Sequence, residues 1–369
     1  MPTLIHTSDV HLGAPLAWLG KRAADQREQL KRTFAAVVDT AIDEGAAFLI
    51  VAGDLFDSNR PPASAVRFAI REFTRLTADS DASIVLLPGS HDHLSEDSVY
   101  VSYRDEFSKV ARLSVLGLTG DPVVRDDRLG IALHGNPPRS NRSETRQLEG
   151  VSPDPDLPFN IAVAHGSVTI VPGAEQDHPI GHEELSAPDW SYFALGHWHS
   201  WREVGSGEAP AVYPGAPELV ASDQGGCGRV AKVELRGSGA RVTPLRLGAR
   251  EVVDAAIDVT DAIDTSDVVR RILRDAPPDA GTVLRLTLTG LLEVGSSFDE
   301  SELIEALDSQ YFFVCPPPTS YHVRLSDADL SALPERLVVG RYVRLMRDKL
   351  NAADTEEERD EIEAAVQMG

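Results

Sequence analysis

FLIVAGDLFD, residues 48–57, is the stretch on which the fold turns. Five apolar residues, Phe48 to Ala52, read as a short buried strand. The run stops at Gly53-Asp54, and a second carboxylate follows at Asp57. Four other apolar runs end in the same way. LIHTSDVHLG (4–13) leads to Asp9 and His11, and VLLPGSHDH (85–93) to Ser90, His91 and Asp92. IAVAHG (161–166) ends on His165, and YFALGHWH (192–199) on His197 and His199.

Carboxylate oxygen and imidazole nitrogen are the ligands that hard and borderline divalent cations prefer. A hydrolytic centre holding two cations about 3.5–4 Å apart needs more of them than one segment can supply. In an open α/β sheet the loops beyond the carboxyl ends of neighbouring strands meet in one crevice, so one or two ligands per strand assemble a site from distant sequence. Taken singly, each cluster is weak, since an Asp after a strand is commonly a turn or cap residue. Five in a row are hard to read that way.

Outward from these runs the first part of the chain alternates strands with helical patterns, which is the signature of an α/β domain. Residues 22–44 place Leu30, Phe34, Val37, Val38 and Ile42 on one helical face, and a second helix is predicted over 63–76, directly after Pro61 and Pro62. Between 125 and 158 the periodicity weakens and five prolines punctuate a polar stretch, so a long surface excursion is expected. The pattern restarts after 250, with Leu284, Leu286 and Leu288 alternating with polar residues. Beyond Pro334, Val339, Val343, Met346 and Leu350 recur at helical spacing beside Arg336, Arg341, Arg344, Arg347 and Lys349, followed by an acidic stretch at 354–363. The expected division is a catalytic domain at 1–250, a small α+β domain at 251–330 that selects substrate, and a helical segment at 331–369 that binds a partner.

The 369 residues and 42% hydrophobic content suit two domains with a sizeable core. A net charge of −23 argues against coating nucleic acid through bulk electrostatics, though cations and a local basic patch can offset acidity at one face. Cys227 and Cys315 have no CxxC context and read as reduced, buried thiols. The start MPTLIHTSDVH lacks the basic and apolar regions of a secretory signal, and no apolar stretch approaches the roughly 18 residues of a membrane span. A cytoplasmic protein is expected.

The ordered blocks D-x-H, G-D-x-x-D, G-S-H-D, H-G and G-H-x-H resemble those of the calcineurin-like metallophosphoesterases across about residues 3–215. HTSDVHLG (6–13), LGHWH (195–199) and YPGAPE (213–218) are similar to the DNA-repair exonuclease branch of that family, that of the bacterial SbcD nuclease subunit. The resemblance implies a two-sheet α/β sandwich flanked by helices, and a manganese-dependent DNA exonuclease or endonuclease with two divalent cations. Asp9, His11, Asp54 and His199 would hold one cation. Asp54, His165 and His197 would hold the other, with Asp54 bridging. His91 would protonate the departing oxygen or stabilise phosphoryl charge, and Asp92 would orient His91. Ser90 departs from the family pattern, which has Asn as an oxygen ligand there. LVVGRYVRLMRDKL (337–350) resembles the helical region through which such subunits engage an SbcC-like ABC-type ATPase, and homodimers are common among them.

Other residues have two readings each. Arg139, Arg142 and Arg146 form a basic cluster that either contacts DNA phosphates or is a solvated loop. His134 either lines the cleft or is structural. Trp198 and Trp201 flank His199 and either stack on a base or pack around the loop. Two rival functions also stand: hydrolysis of a small phosphodiester or phosphomonoester, which the negative charge favours, and a weakly active scaffold subunit of an ATPase complex, which Ser90 keeps open.

Overall fold

The computed structural model describes residues 1–119, 122–168, 177–205, 207–237, 239–293, 296–317, 319–324, 338–353, 355 and 362. Two compact units divide the chain, Met1–Glu251 and Val252–Gly369.

The first unit is built on two six-stranded sheets. One contains β1 (Thr3–Thr7), β2 (Phe48–Ala52), β3 (Ser83–Leu87) and β4 (Leu113–Val115), all parallel. The other contains β5 (Val123–Asp126), β6 (Ile131–His134), β7 (Phe159–His165), β8 (Tyr192–Gly196), β9 (Arg202–Glu203) and β10 (Ala211–Tyr213). There β6, β7, β8 and β10 are parallel, and β5 and β9 are antiparallel edge strands. The hairpin of β11 (Arg229–Arg236) and β12 (Gly239–Arg246) completes the first sheet, with β11 antiparallel to β1.

Alternation along each strand explains why the apolar runs are unbroken. In β2, Leu49 and Val51 pack towards Phe34 and Val37 of α1 (Ala23–Asp43) and Val66 and Phe73 of α2 (Ala63–Asp79). Phe48, Ile50 and Ala52 point the other way and meet Ile161, Val163 and Tyr192 between the sheets. The second sheet repeats the arrangement, its outer face burying Ala162, Ala164, Phe193 and Leu195 against Ile180, Leu185 and Trp190. Strands covered on both faces need apolar side chains at every position. This is the α/β organisation that the alternating runs predict, in the two-sheet form that the family resemblance implies.

The expected excursion at 125–158 begins later than its weak periodicity suggests, because β5 and β6 occupy its start. The strand at 131–133 is expected from its apolar run, whereas β5 is only four residues long and half-exposed at a sheet edge, so no alternation registers there. Within that range 127–130 is the turn between these strands, and 135–158 is irregular. Two one-turn helices, α3 (Val99–Ser102) and α4 (Arg104–Phe107), follow the third motif loop and bury Val99, Tyr100 and Phe107.

In the second unit, β13 (Glu251–Asp258), β14 (Thr282–Glu293), β15 (Phe313–Cys315) and β16 (Thr319–Arg324) form one sheet, with β15 and β16 both parallel to β14. Leu284, Leu286 and Leu288 share its core with Val268 and Ile272 of α5 (Thr265–Asp275) and Leu303 and Leu307 of α6 (Glu300–Asp308). Asp264 and Asp299 cap these two helices by accepting the backbone N–H of Asp267 and Glu302. Helix α7 (Val338–Ala352) buries Val343 beside Tyr342 and Met346. Arg336 and almost all of 354–363 lie outside the described residues. Among the described residues, no helix is long and apolar enough to cross a membrane.

Candidate metal centre

The loops after β1, β2, β3, β7 and β8 meet at one place. Backbone bonds stitch them together, with the Asp9 N–H donating to the Gly53 carbonyl, His11 N–H to that of Asp54, and Gly166 N–H to that of Gly196. The approach is so close that a Cβ on Gly53 would stand 2.0 Å from the His165 ring, and one on Gly89 2.2 Å from the Asp54 carboxylate. Asp9, His11, Asp54 and His197 all take positive φ (54°, 50°, 52° and 108°), a conformation costly for residues with a Cβ. These four are among nine non-glycine residues with positive φ in the described residues, and the stitched loops hold them there.

Both key carboxylates are buried and oriented by backbone donors. His197 N–H lies 3.1 Å from each Asp9 oxygen. Asp54 Oδ1 accepts the His91 N–H at 2.8 Å, which leaves Oδ2 facing the imidazoles. His165 Nε2 is 3.3 Å from that oxygen and His11 Nε2 is 3.8 Å from it. His199 Nε2 is 3.7 Å from Asp9 Oδ1 and 3.2 Å from His11 Nε2. Ser90 Oγ sits in the same space, 3.3 Å from Asp54 Oδ2 and 3.4 Å from His165 Nε2.

The tautomers follow from the other ring nitrogen. His165 Nδ1 is 2.9 Å from the Ala52 carbonyl, which can only accept, so Nδ1 carries the proton of the neutral ring. His11 Nδ1 meets Asp57 Oδ1 at 3.2 Å. His199 Nδ1 meets Gln224 Oε1 at 2.6 Å, and that oxygen is identified because it also accepts the Ala221 N–H. Three imidazoles therefore turn Nε2 lone pairs towards two carboxylates. Such a donor set is what a divalent cation requires, with each ring fixed through its outer nitrogen. Asp9, His11 and His199 cluster tightly enough to hold one ion, as do Asp9, Asp54 and His165.

Electrostatics agree with that fit. Burial opposes charge on His165, but the Asp54 carboxylate outweighs it and raises the imidazole to about 10. Burial likewise opposes the charge of Asp54, yet His165 and His11 hold it well below the usual carboxylate range. Burial together with the charge of His165 lowers His197 to about 4. The pocket thus stabilises positive charge at its centre, which a bound cation can supply instead of a proton.

The remaining sequence expectations divide. The His197 ring lies 5.3 Å from that of His165, centroid to centroid, and its backbone orients Asp9. His91 is exposed, its ring 4.8 Å from that of His11. Its Nδ1 donates to the Asp57 carbonyl at 3.0 Å. The expectation that Asp92 orients His91 is therefore corrected. Asp92 is wholly buried, and its oxygens accept Gly89 N–H at 2.7 Å, Phe56 N–H at 3.0 Å and Tyr100 O–H at 2.6 Å. It braces the second and third loops, while Asp57 orients both His11 and His91. His134 is structural, bonded to Asn160 and edge-on to Trp190.

Arg139, Arg142 and Arg146 are exposed. Arg146 pairs with Glu183. Their loop is tied to the third motif loop, since the Pro138 carbonyl accepts Leu94 N–H and Asn141 Nδ2 donates to the Ser90 carbonyl. Gln224 and Tyr100 are functional partners that the sequence reading missed. Gln224 lies in a loop with no periodicity, and Tyr100 looked like an ordinary core aromatic.

Residues 2–201 match the family described as calcineurin-like phosphoesterase. Among curated relatives, the "Uncharacterized metallophosphoesterase YhaO" of Bacillus subtilis is 29% identical over 218 residues, covering 58% of this chain and 52% of that protein. The "DNA double-strand break repair protein Mre11" of Methanopyrus kandleri is 28% identical, covering 58% of this chain and 48% of that protein. Its namesake from Aeropyrum pernix is 27% identical, covering 74% and 68%. The chain spans about half the length of the first two relatives. With the family match covering more than half of its length and the ordered ligands meeting in one pocket, the chain belongs to the calcineurin-like phosphoesterase family.

Proposed function

We propose that this protein is a manganese-dependent phosphodiesterase that cuts DNA at or near ends, working with an ABC-type ATPase. The observation that carries the reaction class is the convergence of three Nε2 atoms on Asp9 and Asp54. DNA as substrate rests on the relatives named as double-strand break repair proteins. An ATPase partner rests on the likeness of 337–350 to the docking helices of SbcD-type subunits.

Asp9, His11, His199 and Asp54 would hold one cation, and Asp54, His165 and His197 the other, with Ser90 contributing its hydroxyl. When bound, the cations supply Lewis acidity to a phosphoryl oxygen and to an attacking water. Asp54, buried and shielded from competing solvent, would offset the repulsion between them. His91, with its Nδ1 committed to the Asp57 carbonyl, meets substrate through Nε2, and donates a proton to the leaving oxygen when the ring is cationic. Arg139 and Arg142, on the loop bonded to Ser90, suit phosphates flanking the scissile one. The second unit would select substrate, and α7 would dock the ATPase.

The test is manganese-dependent cleavage of a linear DNA duplex and of bis-p-nitrophenyl phosphate. Wild type is expected to cut both, and His91→Ala to lose about 10²–10⁴-fold on DNA. Cleavage of the small ester alone would favour a small phosphodiester as substrate, consistent with the net charge of −23. Cleavage of neither would favour the scaffold reading.

A further inference from the structure

Trp198 stands between His197 and His199 and is 41% exposed, the one aromatic among the exposed large hydrophobic side chains of the described residues. A tryptophan costs more to leave in water than almost any other residue, so its exposure at the rim of a polar centre calls for a use. Packing does not supply one. The neighbouring Trp201 is partly buried and joins the core between the sheets, whereas Trp198 turns outward.

The ring is also held in place. The Arg202 guanidinium lies over it, 4.7 Å from the centroid. Arg202 belongs to β9, paired with β10 opposite Tyr213, so the cation comes from a sheet edge rather than a free loop. A cation over one face anchors the indole and adds positive potential beside it. His199, the next residue, points Nε2 into the cluster with Asp9 and His11. A flat π surface therefore stands on the residue between His197 and His199, the two histidines of the fifth motif loop.

We infer that Trp198, braced by Arg202, is a stacking platform for an unpaired nucleobase adjoining the phosphate in the metal centre. This rests on the proposed action on nucleic acid and adds that the strand end is read single-stranded there. Every base has a π face, so the platform supplies affinity without sequence preference. A duplex would present its terminal base only after fraying.

The experiment measures binding of fluorescein-labelled oligothymidylate, and of the same backbone with abasic residues, to wild type, Trp198→Ala and Trp198→Phe. Ca²⁺ is the added cation, and gels check that the strands stay intact. Wild type is expected to bind oligothymidylate about tenfold more tightly than the abasic strand, Trp198→Ala to bind the two alike, and Trp198→Phe to keep most of the preference. Wild-type discrimination retained in Trp198→Ala, or equal wild-type binding of both strands, overturns the platform while leaving nucleic-acid binding standing. If wild type binds neither strand yet hydrolyses bis-p-nitrophenyl phosphate, both the platform and the nucleic-acid reading fall.

Discussion

Asp54→Asn lowers phosphodiester hydrolysis by about 10³-fold while the protein stays folded. The side chain is 2% exposed and sits where the His11 and His165 nitrogens point, so its charge is shared across the whole cluster. Removing one partner from a buried set of charges costs about 3–5 kcal/mol, two to four orders of magnitude in an equilibrium. Asparagine keeps the shape, and its Oδ1 can still accept the His91 N–H, so the loop need not collapse. What it cannot do is bridge two cations with an anionic oxygen. Activity on bis-p-nitrophenyl phosphate, circular dichroism and bound metal per chain should be measured together. Loss of activity and metal with unchanged dichroism is the expected result. A variant that retains metal and rate would show that Asp54 is an ordinary loop residue.

The second large effect falls on stability. Asp92→Ala strands three donors at once, the N–H groups of Phe56 and Gly89 and the hydroxyl of Tyr100, in a place water does not reach. Each unsatisfied buried donor costs about 1–3 kcal/mol, so three of them lose at least about 3 kcal/mol. For a unit of this size that lowers the melting temperature by about 10 °C. Asp92→Asn keeps one good acceptor and falls between. Had Asp92 acted through His91, alanine would have slowed the reaction and left thermal unfolding alone. A wild-type melting curve with impaired catalysis would restore that role and contradict the bracing one.

The strands that place the site were legible because both of their faces are covered. Phe48–Ala52 and Tyr192–Gly196 carry no polar interruption for that reason, and the residues that end them are polar because they leave the sandwich. The ligand types were legible for a second reason: clusters of Asp and His right after buried strands have few structural uses. Short or edge strands were not, since Leu113–Val115 and Val123–Asp126 bury too little to impose a pattern. Orienting groups were hidden because orientation is carried by backbone carbonyls and by partners distant in sequence. The Ala52 carbonyl that sets the His165 tautomer, and Gln224 behind His199, leave no mark on the motifs themselves. Asp92 was misassigned through adjacency. Its side chain accepts the hydroxyl of Tyr100, eight residues on in α3, and takes no bond from His91.

The most direct measurement is an anomalous difference map from crystals grown with Mn²⁺, collected on either side of the manganese edge. Two peaks about 3.5–4 Å apart are expected on either side of the Asp54 carboxylate, one beside His11 and His199 and one beside His165. A map with no peak in this pocket, or one in which Asp54 touches neither ion, would contradict that arrangement.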